Sequence, residues 1–242
     1  SAEPVGRLAP LLSEPAPARL FEEILKLFLS GHAVASFEGL EHFGLLKVLF
    51  PETAAALASN RSGALRRMVM AGLAGTDQRV ANDEPVSPAF LFALLLWPAY
   101  CRALMGLQAQ GVHAEEAQRR AADRVTLHQL NTVALPRRFS LPMQEIWLLQ
   151  TRFGNRQRKR VTRLLSHPRF RAAFDFLALR LAASPEHAED VAFWRDAQTQ
   201  SGEELAAALG VAVPGDSFGE EGAPASKRRR RRRSRSTASS PE

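Results

Sequence analysis

The sequence has few of the features that mark disulfide-bonded, metal-binding or membrane-spanning proteins. Cys101 is the single cysteine in 242 residues, so neither an internal disulfide nor a thiolate zinc site can form. We therefore expect a reducing, cytoplasmic compartment. The longest apolar run, Ala89 to Trp97, is far shorter than the roughly 20 residues that span a bilayer. It predicts a buried helix and no membrane contact.

Catalytic motifs are missing as well. The sequence contains no Asp-x-Asp pair, although metal-assisted nucleotidyl transfer needs carboxylates that converge on Mg²⁺. It also lacks the Gly-x-x-x-x-Gly-Lys, Gly-x-Gly-x-x-Gly and Gly-x-Ser-x-Gly motifs. Its acidic pairs are adjacent in sequence and do not share a helix face, and its six histidines have no ligand spacing. We predict no catalytic residue, metal site or bound cofactor in this chain.

Apolar residues recur with helical period through most of the chain, and strand signals are almost absent, so we predict an all-α fold. The first helix places Leu20, Ile24 and Leu27 on one face. Ser140 is the predicted N-cap of a helix in the second half, and residues 211–242 are predicted to be disordered. Helices are predicted over 17–28, 37–49, 61–74, 88–107, 114–135, 141–152, 156–166 and 169–183, with a loop over 76–88.

Charge is unevenly distributed along the chain. Residues 135–180 contain eleven Lys and Arg against two acids, a net charge of 11 − 2 = +9. Residues 227–242 have a net charge of 8 − 1 = +7, so the other 226 residues sum to zero. Because the cations of the first stretch alternate with apolar residues at helical spacing, we predict an ordered basic patch that binds a polyanion.

The candidate binding residues form two groups. The ordered group is Arg137, Arg138, Arg152, Arg156, Arg158, Lys159, Arg160, Arg163, Arg169 and Arg171. The tail group is Lys227, Arg228, Arg229, Arg230, Arg231, Arg232, Arg233 and Arg235. Arg180 also belongs to the basic stretch and is expected to point away from the core. Any surface helix shows charged residues opposite an apolar stripe, so this pattern alone could be an ordinary solvated face. Here nearly all of the charges are positive and no acid lies close by in the sequence, which favours a bound anion.

Within the basic stretch, a rotation of about 100° per residue defines two sides of the predicted helix 156–166. The apolar side has Val161, Leu164 and Leu165, and the opposite side has Arg156, Lys159 and Arg163. Three nearby aromatic residues could stack on bases, but the apolar pattern favours a place in the core. They are Phe139, Trp147 and Phe153.

Four blocks, in order, resemble the C-terminal half of bacterial poly(A) polymerases over roughly residues 10–200. They are PARLFEEILKLFLSGHAVASFEGLEHFGLLKVLFP (17–51), TDQRVANDEPVSPAFLFALLLWP (76–98), RRFSLPMQEIW with RQRKR and LLSHPRFRAAFDFLALR behind it, and an arginine-rich tail. The resemblance implies an all-helical neck and body that binds RNA. It divides the chain into a neck and RNA-binding region (1–55), an arginine-rich C-terminal region (56–210) and a basic tail (211–242).

The resemblance further implies an enzyme that adds AMP from ATP to RNA 3′ ends with Mg²⁺. In that family the catalytic head precedes the Pro-x-Arg-Leu-Phe-Glu-Glu motif, which here begins at Pro17, so no catalytic residue is carried over and this chain alone is predicted to be inactive. Single-stranded RNA 3′ ends, the missing head and RNA-decay proteins are the implied partners. The alternatives are a CCA-adding tRNA nucleotidyltransferase and a non-catalytic RNA-binding or protein-docking module.

Overall fold

The computed structural model describes residues 16–200, and within them every regular element is a helix, as the periodicity predicts. The α-helices are α1 (Pro17–Phe28), α2 (Ala33–His42), α3 (Leu45–Leu49), α4 (Pro51–Ser59), α5 (Ala64–Ala81), α6 (Pro88–Leu95), α7 (Trp97–Ala109), α8 (Ala114–Gln129), α9 (Arg137–Leu149), α10 (Arg158–Leu165), α11 (Phe170–Leu181) and α12 (Ala188–Ala197). Two 3₁₀ turns cover Gln150–Gly154 and Pro185–His187. The predicted disordered segment 211–242 lies outside the described residues.

Helix α1 begins where Pro17 fixes the backbone dihedral of its first turn, and it packs one face into the core. Leu20 and Ile24 are buried as predicted, but Leu27 is 36% exposed. Phe21 and Phe28 occupy the buried face in its place. Helix α1 therefore docks with its aromatic residues inward, which the aliphatic spacing alone did not indicate.

The stretch 37–49 folds as two helices rather than one. Gly44 adopts φ = 73°, in the left-handed region that glycine enters without a Cβ clash, and it separates α2 from α3. Helix α2 has no local side-chain cap. Its first N–H groups are satisfied by a distant residue instead: the carboxylate of Asp77 on α5 accepts hydrogen bonds from the N–H groups of Ala33 (2.5 Å) and Val34 (3.1 Å). A residue on another helix thus fixes the beginning of α2.

The predicted loop over 76–88 is too long. Helix α5 continues to Ala81, and Thr76 is buried, with its hydroxyl donating to the carbonyl of Gly72 (3.2 Å). The turn formers act only from Asn82 onward, and the next helix begins at Pro88, capped by Ser87. Residues 76–81 have a composition that indicates a turn, but they continue the helix because one face of α5 is buried against other helices.

Helices α6 and α7 form the centre of the larger core. The residues of α6 from Leu91 to Leu95 are 0–1% exposed, which confirms the predicted buried helix. The chain bends by 53° between α6 and α7, where Pro98 lies in the first turn of α7. Within residues 16–200 no single helix is long and apolar enough to span a membrane. The bent pair of α6 and α7 reaches that length and apolar composition when its two helices are counted together.

The basic stretch begins differently from the prediction. Helix α9 starts at Arg137, directly after Pro136, whose carbonyl accepts the first helical hydrogen bonds. Ser140 is therefore a buried residue inside the helix and not its N-cap, and Pro142 also lies inside it. Helix α8 ends at Gln129, earlier than predicted, because the side chains of Gln129 and Thr132 bind the carbonyl of Leu49 (2.7 and 2.9 Å).

A second, smaller core joins the C-terminal helices. It contains ten buried residues from the end of α9, the following 3₁₀ turn, α10, α11 and α12. Trp194 of α12 is fully buried and donates its indole N–H to the carbonyl of Phe153 (3.0 Å). The larger core draws on residues on both sides of position 55. The division at residues 55 and 210 stays a prediction.

Candidate nucleic-acid interface

Helix α10 carries the densest group of cations and is anchored by apolar residues on its other side. Val161 and Leu164 are 0% and 3% exposed and belong to the second core. Lys159, Arg160 and Arg163 are exposed. None of these three forms an ion pair with a carboxylate in residues 16–200. A short helix therefore presents three unpaired positive charges on a fixed backbone; we call this the α10 face.

Arg156 does not belong to the α10 face. The side chain of Asn155 accepts a hydrogen bond from the N–H of Gln157 (3.0 Å), so the chain turns here and α10 begins only at Arg158. The predicted row of Arg156, Lys159 and Arg163 on one helix is therefore wrong. Lys159 and Arg163, four residues apart, do share a side.

The guanidinium of Arg156 instead joins two elements. It forms an ion pair with Asp190 of α12 and lies 4.7 Å from the ring centroid of Phe193. Asp190 also pairs with His187 (3.1 Å). The hydrogen bond with His187, and then that with Arg156, lower the pKa of the Asp190 carboxyl. Asp190, 34 residues away in the sequence, thus neutralises Arg156, although the sequence around Arg156 contains no acid that could do so.

Arg169 and Arg171 line a cleft of about 490 Å³ between α5, the loop after it and α11. Arg79 of α5 lines the same cleft, although no local pattern relates it to the basic stretch. Each of the three arginines has a carboxylate partner, at 3.2–3.3 Å. The partners are Glu84 for Arg79, Glu145 for Arg169 and Asp175 for Arg171. A phosphate that enters this cleft must compete with these acids.

The other candidate residues lie apart from these. Arg137 and Arg138 are exposed at the start of α9, and the guanidinium of Arg138 lies 4.9 Å from the Phe139 ring centroid. Helix α9 is 13 residues long, so at 1.5 Å per residue its two ends are about 18 Å apart. Arg152 is exposed in the 3₁₀ turn beyond the far end. The structure thus spreads the predicted basic patch over several surfaces. The tail residues 227–235 lie outside the described residues.

The aromatic residues of this stretch belong to the protein interior. Trp147 is fully buried and donates its indole N–H to the carbonyl of Ala93 (3.0 Å), and Phe153 is 4% exposed. Phe139 is partly buried and stacks on Phe21 with a centroid distance of 5.6 Å. The core interpretation is confirmed for all three, so stacking on bases needs other side chains.

Side chains that bind metals do not cluster in the described part of the chain. In residues 16–200 no group of three or more His, Cys, Asp or Glu side chains is arranged to hold a metal ion. These residues therefore offer no three-ligand group for the Mg²⁺ that the family resemblance implies for the full enzyme, and the absence of a metal site stays a prediction. That this chain alone lacks catalytic activity stays a prediction.

Comparisons with known proteins match both the first and the last part of the chain to poly(A) polymerase families. The family described as "Polymerase A arginine-rich C-terminus" matches residues 110–236, and the one described as "Probable RNA and SrmB- binding site of polymerase A" matches residues 1–57. Poly(A) polymerase I of Salmonella typhi is 39% identical over 181 residues, which cover 74% of this chain and 39% of the relative. Poly(A) polymerase I of Haemophilus influenzae is 34% identical over 206 residues, which cover 84% of this chain and 46% of the relative.

The fold and the composition define an all-α, arginine-rich helical region. The chain belongs to the bacterial poly(A) polymerase family and corresponds to its RNA-binding and arginine-rich C-terminal regions. It spans less than half of the length of the curated relatives that it matches.

Proposed function

We propose that this chain is the part of a bacterial poly(A) polymerase that holds single-stranded RNA near its 3′ end. A catalytic head outside these residues adds AMP from ATP, with Mg²⁺. The α10 face is the observation that carries this proposal, since three cations without carboxylate partners on an anchored helix can track a phosphate backbone without reading its sequence. RNA-decay proteins are proposed as further partners on the strength of the family resemblance.

The match to the arginine-rich C-terminus supports poly(A) polymerase over a CCA-adding tRNA nucleotidyltransferase. It covers residues 110–236, which include the α10 face and the tail cations Lys227 to Arg235. A non-catalytic RNA-binding module would use the same surface. It differs from our proposal in that adding a catalytic head would not produce an adenylyltransferase.

The test of RNA binding replaces Lys159, Arg160 and Arg163 with Ala in the full chain. Fluorescence anisotropy with a labelled oligo(A) then gives the affinity over a series of salt concentrations. Each lost phosphate contact should reduce the slope of log K against log salt by about 0.7, so the triple substitution should reduce it by about 2 and weaken binding roughly tenfold or more at low salt.

A charge-matched control separates this local effect from the loss of net charge. Arg102, Arg119 and Arg124 are exposed on α7 and α8, and none of them pairs with a carboxylate in residues 16–200. Replacing these three with Ala should leave the slope within about one contact, 0.7, of the unmodified chain. Equal losses in both triple variants would refute a specific role of α10.

A further inference from the structure

A second cleft, of about 500 Å³, lies where the two cores meet. Three aromatic residues stack in series along one side of it: the ring centroids of Trp97 and Tyr100 are 5.2 Å apart, and those of Tyr100 and Trp147 are 4.8 Å apart. Leu104 and Leu181 extend this side with aliphatic surface. These rings are at most 7% exposed and stack on one another, so they back an apolar cleft without offering it an open aromatic face.

Arg180 of α11 reaches this cleft as a half-buried cation without a counter-charge. It forms no ion pair with a carboxylate in residues 16–200, and its Nε has no hydrogen-bond partner there. Burial lowers the pKa of its guanidinium. The nearby thiol of Cys101 supplies no negative charge, because burial raises its pKa to about 12. The sequence predicted this arginine to point away from the core.

The acid on the rim of the cleft is already engaged. Asp190 lines the cleft, but its carboxylate is bonded to Arg156 and to His187. A partly buried charge without a partner costs free energy. The folded chain keeps Arg180 in this position nonetheless, and an anionic ligand would supply the missing counter-charge.

A second polar atom of the same cleft lacks a hydrogen-bond partner among residues 16–200. The Oε1 atom of Gln150 is buried and accepts no hydrogen bond, while its Nε2 donates to the carbonyls of Ile146 (3.0 Å) and Ala173 (3.1 Å). These two bonds fix the amide, so Oε1 faces no internal donor. Unpaired polar groups that converge on an apolar cleft are typical of a preformed ligand site.

We propose that this cleft binds one nucleoside monophosphate unit, with its phosphate on Arg180 and its base against the aliphatic side chains of Leu104 and Leu181. A single cation suits a single phosphate, the apolar lining suits a base, and the volume suits a ligand of this size. The inference rests on the proposed RNA-binding function. The rim residue Asp190 holds Arg156, one of the candidate RNA-binding residues, so the cleft adjoins the basic surface.

The test uses the full chain with Arg180→Met and Arg180→Lys, and Arg102→Met as a control on the exposed side of α7. Cys101 lines the cleft and is the only cysteine in the sequence. Because burial raises the pKa of its thiol to about 12, alkylation is carried out over hours with excess iodoacetamide at alkaline pH, and mass spectrometry then measures how far a ligand protects Cys101. AMP should protect Cys101 in the unmodified chain and in the control. Adenosine and inorganic phosphate, each lacking half of the ligand, should protect it only at much higher concentrations.

The substitutions should then separate binding from a structural role. Arg180→Met should raise the AMP concentration for half-protection by about tenfold or more, because a charge-assisted hydrogen bond is lost, and Arg180→Lys should restore most of it. Arg180→Met should also leave the melting temperature unchanged or raise it, since a buried unpaired charge is removed. A lower melting temperature together with unchanged AMP protection would overturn the proposal.

Competition distinguishes the two sources of the nucleotide. If AMP displaces labelled oligo(A) and Arg180→Met weakens oligo(A) binding, the site takes a residue of the RNA. If AMP protects Cys101 without displacing oligo(A), the site takes a free nucleotide. Absence of AMP protection while oligo(A) still binds with its full salt dependence would refute the cleft proposal alone. If the unmodified chain does not bind oligo(A) at all, the proposed function itself is refuted.

Discussion

Gly72 shows how closely the helices of the larger core approach each other. A Cβ atom at this position would come within 2.4 Å of a methyl carbon of Leu94 on α6 and 2.8 Å of one of Leu179 on α11. Gly75, three residues later on the same helix, is exposed and has open space around it. The two glycines therefore form a matched pair for testing helix packing.

We predict that Gly72→Ala lowers the free energy of unfolding by roughly 1–3 kcal/mol, because the added methyl group overpacks a closed interface. Gly75→Ala should raise it by up to about 1 kcal/mol, since alanine is the better helix former. Urea denaturation of both variants measures the two changes. Equal effects would contradict the packing of α5 against α6 and α11.

The ion pair between Arg156 and Asp190 gives a pH-dependent prediction. The pKa of Asp190 is lowered from its usual value of 3.8, first by the hydrogen bond with His187 and then by Arg156. Its contribution to stability is therefore present above about pH 4 and is lost as pH falls through the lowered folded-state pKa. Asp190→Asn should remove this contribution.

Melting temperatures of the unmodified chain and Asp190→Asn, measured from neutral to acidic pH, test the pair. The unmodified chain should melt higher at neutral pH, and the gap should close below about pH 4 as Asp190 becomes protonated. The effect should be small because both side chains are more than 40% exposed. A gap that persists unchanged into strong acid would show that the charge of Asp190 is not responsible.

At the scale of the element, α10 depends on its anchor. A helix of eight residues is not stable alone in water, so the α10 face exists because Val161 and Leu164 pack into the second core. We predict that Leu164→Ala lowers the free energy of unfolding by about 2–5 kcal/mol. It should also weaken RNA binding, because the cations lose their fixed positions.

Thr162→Ala is the matched control, since Thr162 is exposed on the same helix and its hydroxyl bonds only to the carbonyl of Arg158 (3.1 Å). Its effect on stability should stay within about 0.5 kcal/mol. Hydrogen exchange of the α10 amides, with anisotropy on oligo(A), measures both consequences. If Leu164→Ala speeds exchange in α10 but leaves RNA affinity unchanged, the ordered face is not what binds RNA.

At the scale of the whole molecule, the basic tail and the α10 face should act differently. Deleting residues 227–242 removes a net charge of 8 − 1 = +7. A polycationic segment raises encounter rates through long-range attraction. We predict that the deletion mainly lowers the association rate and its salt dependence in stopped-flow measurements. The triple α10 substitution should weaken binding further in the shortened chain; if it has no effect there, RNA contact belongs to the tail.

The second prediction at this scale concerns activity. We expect the chain alone to show no adenylyltransferase activity, because residues 16–200 hold no cluster of carboxylates suited to Mg²⁺ and no Asp-x-Asp pair occurs in the whole sequence. Purified protein incubated with labelled ATP, Mg²⁺ and an oligo(A) primer provides the measurement. Metal-dependent extension of the primer above background would contradict it.

The sequence alone determined the local features of the fold. The all-α class, the burial of Ala89 to Trp97 and the opposed apolar and basic sides of α10 follow from residues within a few turns of each other. Side chains three and four positions apart share a helix face wherever that helix packs. The resemblance to bacterial poly(A) polymerases likewise rests on local blocks, and the comparisons confirm it.

Only the tertiary structure decided which charged residues are neutralised. Asp77 caps α2 from 44 residues away, and Asp190 neutralises Arg156 from 34 residues away. Arg180 is half-buried and pairs with no acid in the described residues 16–200. A helical pattern fixes the side on which a residue lies, but not which element packs against that side. The partner of a charge depends on how distant helices meet, because electrostatic attraction acts through space and not along the chain.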